Sequence, residues 1–264
     1  MQLKIDGDTI AKKAYLGDNT LIDIVIPEDV KKIEDWAFAQ CGRLKSIHLP
    51  DNIEYVGRNI FAGCDALDEI RVYRLEQAFD SYTITYISQM LAVAMKYFGY
   101  NAGDWLKVIG SPAWFDNWDA SCDSYIKTQD DVGFMPFLAG GEEDYSDSEH
   151  ERMIYSYNTR KRKVKTLFRR LALKKAFPIN DYRMSAWREY LISAYEPLVD
   201  VLKEDNIHVH DDVRICVDEG IIMLNNMRAL INVLPEECVE LRAILMNYFE
   251  NVNCDEDIWD EFEI

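Results

Sequence analysis

The residues of this chain best placed to bind a metal are His208-Val-His-Asp-Asp212. In an extended segment, His-x-His puts two imidazoles on one side, with the carboxylates of Asp211 and Asp212 adjacent and Cys216 four residues on. A metal-dependent hydrolase centred on His208 and His210 is the enzyme that such a cluster would support. The plainer alternative is an exposed loop whose Asp211 caps the next helix. That alternative is preferred here, so no metal, no cofactor and no catalytic residue is predicted. A thiol or hydroxyl nucleophile would need a base beside it, and the four histidines (His48, His150, His208, His210) leave few ways to build one. Gly-x-Gly-x-x-Gly, the P-loop, His-Glu-x-x-His and Gly-x-Ser-x-Gly are all missing from the sequence.

A second chemistry is carried by charge. Nine of the sixteen residues from Arg160 to Lys175 are basic, while Val164, Leu167, Phe168, Leu171 and Ala172 recur at helical spacing on one face. Such an amphipathic helix could bind nucleic acid, grip a partner, or sit against the chain's own carboxylates. The whole chain carries 29 Lys and Arg against 47 Asp and Glu, a net charge of -18, which opposes broad contact with phosphate backbones or anionic lipid. The third possibility is therefore expected, with the acidic run Glu142–Glu151 as the nearest source of carboxylates. Neither nucleic acid nor membrane is predicted as a partner.

The elements that would position these groups follow from composition and repeats. Hydrophobic residues make up 48% of the 264 and charged residues 29%, the balance of a globular chain with a substantial core. Six cysteines (Cys41, Cys64, Cys122, Cys216, Cys238, Cys254) show neither Cys-x-x-Cys nor zinc-ribbon spacing and read as free, mostly buried thiols. Asp6 and Asp8 interrupt the apolar run that a secretory leader would need, so a cytoplasmic location is expected.

A shift of 23 residues superimposes two segments, and a shorter third copy starts at Leu67. The matched columns are Leu21/Leu44/Leu67, Ile24/Ile47/Ile70, Ile26/Leu49/Val72, Pro27/Pro50, Val30/Ile53, Ile33/Val56, Phe38/Phe61 and Cys41/Cys64. One such unit cannot bury its apolar positions alone, but stacking units about 4.8 Å apart turns each column into a continuous ladder. Apolar residues alternate with outward ones in each strand, and Pro27 and Pro50 close the first two because proline cannot donate to a ladder. Alternation leaves Asp23, Val25, Ser46, His48, Glu69 and Arg71 on the outward face as candidate partner-binding residues.

The run Ile26-Pro27-x-x-Val30-x-x-Ile33-x-x-x-Ala37-Phe38-x-x-Cys41-x-x-Leu44 closely resembles the BspA-type leucine-rich repeat family over about residues 15–73. The second copy departs from it with Ile60 where the family usually has Ala. The resemblance implies ligand binding on the repeat surface, by a protein partner. Residues 180–252 more weakly resemble the ankyrin-like helical tails of bacterial leucine-rich-repeat proteins, through Leu198-Val-Asp-Val-Leu-Lys-Glu-Asp and Arg242-Ala-Ile-Leu-Met-Asn-Tyr.

The expected fold is α+β: a short leucine-rich-repeat solenoid of about three turns, residues 1–73, packed on a larger α-helical domain, residues 74–264. Helices are predicted at Leu75–Phe98 with Gly99 as its stop, at Arg160–Lys175, at Met184–Lys203 with a bend or restart at Pro197, at Asp211–Glu219 before Gly220, at Asn225–Val233, and at Pro235–Glu250. Residues 101–141, with Trp105, Trp114 and Trp118, read as loops with short helices, and 142–151 as an acidic loop. The aromatic residues between Tyr97 and Tyr125 could form core or line a groove. The expected role is that of a non-catalytic protein-interaction module.

Overall fold

Every 23 residues the backbone of the first third returns to the same place one rung higher. The computed structural model describes residues 3, 5, 7–98, 102–134, 145–204, 208–234 and 236–253. Strands β2 (Asp23–Val25), β4 (Ser46–Leu49) and β6 (Glu69–Val72) form one parallel sheet. Its register pairs Ile24 with Ile47 and Ile47 with Ile70. Strands β1 (Thr9–Ile10), β3 (Lys32–Ile33) and β5 (Tyr55–Val56) form a second, in which Ile10, Ile33 and Val56 lie in register. A third side has no strand, yet it too is tied rung to rung: the amide of Tyr15 donates to the carbonyl of Ala37 at 2.8 Å, and that of Phe38 to Ile60 at 3.1 Å. The columns predicted from the period are buried, apart from half-buried Pro27 and Ile53. Each fully buried aliphatic contributes roughly 1.5–3 kcal/mol relative to leaving it in water.

The repeat starts earlier than its sequence signature. Leu3, buried, donates its amide to Val25 at 3.1 Å, just as Ile26 donates to His48 at 2.9 Å one rung on. Leu3 thus heads the column Ile26/Leu49/Val72. Tyr15 stacks on Phe38 with centroids 5.2 Å apart, and Phe38 on Phe61 at 6.0 Å. Even the unusual backbone repeats: Lys13, Trp36 and Asn59 have φ of 60°, 62° and 55°, and Gly17, Gln40 and Gly63 have 73°, 60° and 73°. The third rung closes tightly at Gly57, where an added Cβ would lie 2.6 Å from the carbonyl carbon of Glu34 and collide with the amide nitrogen of Asp35. Because backbone cannot give way as a side-chain end can, Gly57→Ala is expected to cost about 1–3 kcal/mol, read as a lowered thermal midpoint. An unchanged midpoint would contradict this packing.

By compactness the chain divides into two units, residues 1–128 with 173–178, and residues 129–172 with 179–264. In the first, helix α1 (Leu75–Ala78) is followed by α2 (Ser81–Tyr97), α3 (Ala102–Val108) and α4 (Pro112–Lys127). The single helix expected over 75–98 is broken because Asp80 accepts the amide of Thr83 at 2.9 Å and caps a new one. Gly99, its expected stop, lies outside the described residues. Helix α2 packs against β6 and so covers the apolar end of the stack, as terminal repeats require. The loops expected after residue 101 are largely helix. Ser111 accepts the amide of Trp114 and Pro112 takes the first turn, a strong start signal for the sixteen residues of α4.

The second unit holds α5 (Tyr145–Ala172), α6 (Asp181–Ser193), α7 (Tyr195–Glu204), α8 (Val209–Asp218), α9 (Leu224–Val233) and α10 (Val239–Asn253). The basic helix extends back through residues expected as an acidic loop, since 145–151 belong to α5; residues 142–144 lie outside the described residues. The expected restart at Pro197 falls at Ala194, leaving the proline in the first turn of α7, where its missing amide costs no hydrogen bond. Gly220, with φ of 61°, ends α8 as expected. Helix α10 begins at Val239, later than expected, and Pro235 lies outside the described residues. Among the described residues no helix is long and apolar enough to cross a membrane.

Candidate partner-binding face

The register of the β2–β4–β6 sheet sorts the six outward residues into two rows. Asp23, Ser46 and Glu69 are cross-strand neighbours, as are Val25, His48 and Arg71. Asp23 is exposed and the other five are half-buried, while every residue between them points into the core. The Ser46 hydroxyl donates to Asp23 Oδ1 at 2.7 Å, tying the first row together. Arg71 and Glu69, two apart on one strand, form an ion pair at 2.8 Å. With both partners partly in water, that pair contributes less than about 1 kcal/mol.

His48 sits at the centre of the second row. Its burial, and then the Arg71 guanidinium one rung away, hold its imidazole below the ordinary histidine value, so it is neutral near pH 7. The edge of Tyr73 meets it at 6.0 Å between centroids. Tyr73 was missed from sequence because it occupies the column of Pro27 and Pro50, and the change of residue type there was the available signal. The face thus offers one row of two carboxylates about a hydroxyl, one row grading from apolar to cationic, and an aromatic ring.

The other candidates are placed differently from their expectations. His208 is the residue before α8, His210 lies in its first turn, and Val209 between them is buried, so the extended His-x-His geometry does not form. His210 Nε2 instead lies 3.8 Å from Glu240 Oε1. Asp211 does not cap the helix; it accepts from Arg214 at 2.7 Å within it. Among the described residues no group of three or more His, Cys, Asp or Glu is arranged to hold a metal ion.

On α5 the apolar face of Val164, Leu167, Phe168 and Leu171 is buried, as its spacing predicted. Its basic residues meet carboxylates of the same unit. Lys163, fully buried, bonds Asp130 at 2.7 Å; Arg160 reaches the same carboxylate at 3.2 Å; Lys161 pairs with Glu204 and Arg152 with Asp131. Among the described residues, Asp130 and Glu204 are thus carboxylates that meet the basic face, as expected of the same chain, while Glu142 and Glu143 of the acidic run lie outside the described residues. The aromatic residues around α3 and α4 form core: Trp105, Trp114 and Trp118 are buried, and Trp118 Nε1 donates to the Met90 carbonyl at 2.9 Å.

The cysteine column is built for packing. Cys41 Sγ donates to the Tyr15 carbonyl and Cys64 Sγ to that of Phe38, each at 3.0 Å. Burial pushes the Cys64 thiol up to about 11 and that of Cys41 upward as well. Since thiolate is the reactive form, Cys64 is expected to alkylate on the order of a hundredfold more slowly at pH 8 than half-buried Cys238, followed peptide by peptide by mass spectrometry. Equal rates at the two sites would overturn this assignment. Cys254 lies outside the described residues.

Comparison with curated proteins and with solved structures gives no match. Comparison with family models matches residues 8–100 to the BspA type leucine rich repeat region, in six copies. Its span takes in most of the first turn that the ladders reveal and covers α2. The N-terminal part of this chain, residues 8–100, is therefore a BspA-type leucine-rich repeat region.

Proposed function

We propose that this chain is a non-catalytic protein-interaction module. In this reading residues 1–73 are a short solenoid and residues 74–264 an α-helical domain with ankyrin-like hairpins toward its C-terminus. A protein partner binds the outward face formed by Asp23, Val25, Ser46, His48, Glu69 and Arg71, with no cofactor taking part. The repeat family supports the interaction role. The observation that carries the choice of face is the in-register alignment of its two rows on a rigid ladder, which fixes six side chains at the price of no extra ordering. Three strands about 4.8 Å apart and four residues about 3.3 Å each make a surface of roughly 10 by 13 Å. That is far below the roughly 800 Å² per partner of a stable complex, so the face seats a short segment of its partner.

The test is a double substitution, His48→Glu with Arg71→Glu, which introduces one negative charge, reverses one positive charge and leaves every buried column intact. It is expected to abolish retention of the partner that the tagged wild-type chain holds from its native cell, while the circular dichroism of the variant remains that of the folded chain. The control pair Lys32→Glu with Arg58→Glu, exposed elsewhere on the stack and a larger change of net charge, should retain it. Equal retention by both pairs would overturn the assignment of this face.

A further inference from the structure

We draw no further inference here: the strongest candidate, the open edge of the first repeat turn along Thr9–Leu16, where exposed Leu16 and the lysines at 12 and 13 border backbone positions that are bonded rung to rung in the later turns, carries nothing because no feature of the structure shows what covers it.

Discussion

Leu49→Asp is expected to lower the unfolding free energy by about 3–5 kcal/mol, because it buries a carboxylate with no cation to pair it. Leu49 has no exposed surface and lies in the column Leu3/Ile26/Leu49/Val72, with an apolar side chain on the rung to each side. A domain holds only about 5–15 kcal/mol in total, so this variant can populate the unfolded state in plain buffer. Leu49→Ala, expected to cost about 2–5 kcal/mol, keeps the measurement in range. In urea both should lower the midpoint without changing the slope. A loss below about 1 kcal/mol for the aspartate would mean that the column is not continuous.

Phe38→Ala should cost about 3–5 kcal/mol by the same denaturation measurement. The ring has no exposed surface and is stacked between Tyr15, at 5.2 Å and 2° between planes, and Phe61, at 6.0 Å and 21°. Its removal opens a cavity between two rungs whose backbones are held apart by their own hydrogen bonds, so the gap cannot close by collapse. Combined with Phe61→Ala, the double variant should be less destabilised than the sum of the singles, by about 0.5–1.5 kcal/mol, the coupling of stacked rings. Additive effects would show that the two rings do not interact.

The middle of the repeat was legible because two independent signals coincide there. Strand alternation marks Ile24, Ile26, Ile47 and Leu49 as inward, and Pro27 and Pro50 punctuate the same columns. The candidate face followed from that alternation alone, and the register confirms that its residues are neighbours, which is a statement about geometry and not about a partner. The first turn was not legible. Lys4 stands in the proline column and Asp18 in the cysteine column, leaving Ile10, Tyr15 and Gly17 as its sparse traces. At α4 a good cap, Ser111-Pro112, was outweighed by tryptophans and glycines that suggested loops. The neutralisation of α5 lay beyond local pattern: Asp130 is 33 residues from Lys163, and Glu204 is 43 from Lys161, separations that only tertiary packing brings together.

The stack runs in register from Leu3 to Val72, every 23 positions, and presents one outward face. Nuclear Overhauser effects from the Tyr15 and Phe38 rings, with the amide exchange of Tyr15 and Phe38, test it most directly. Cross-peaks are expected from Tyr15 to Phe38 and from Phe38 to Phe61, with slow exchange at both amides, whose acceptors are Ala37 and Ile60. Free exchange at Tyr15 with no contact between its ring and Phe38 would contradict the register on which the fold and the candidate face both stand.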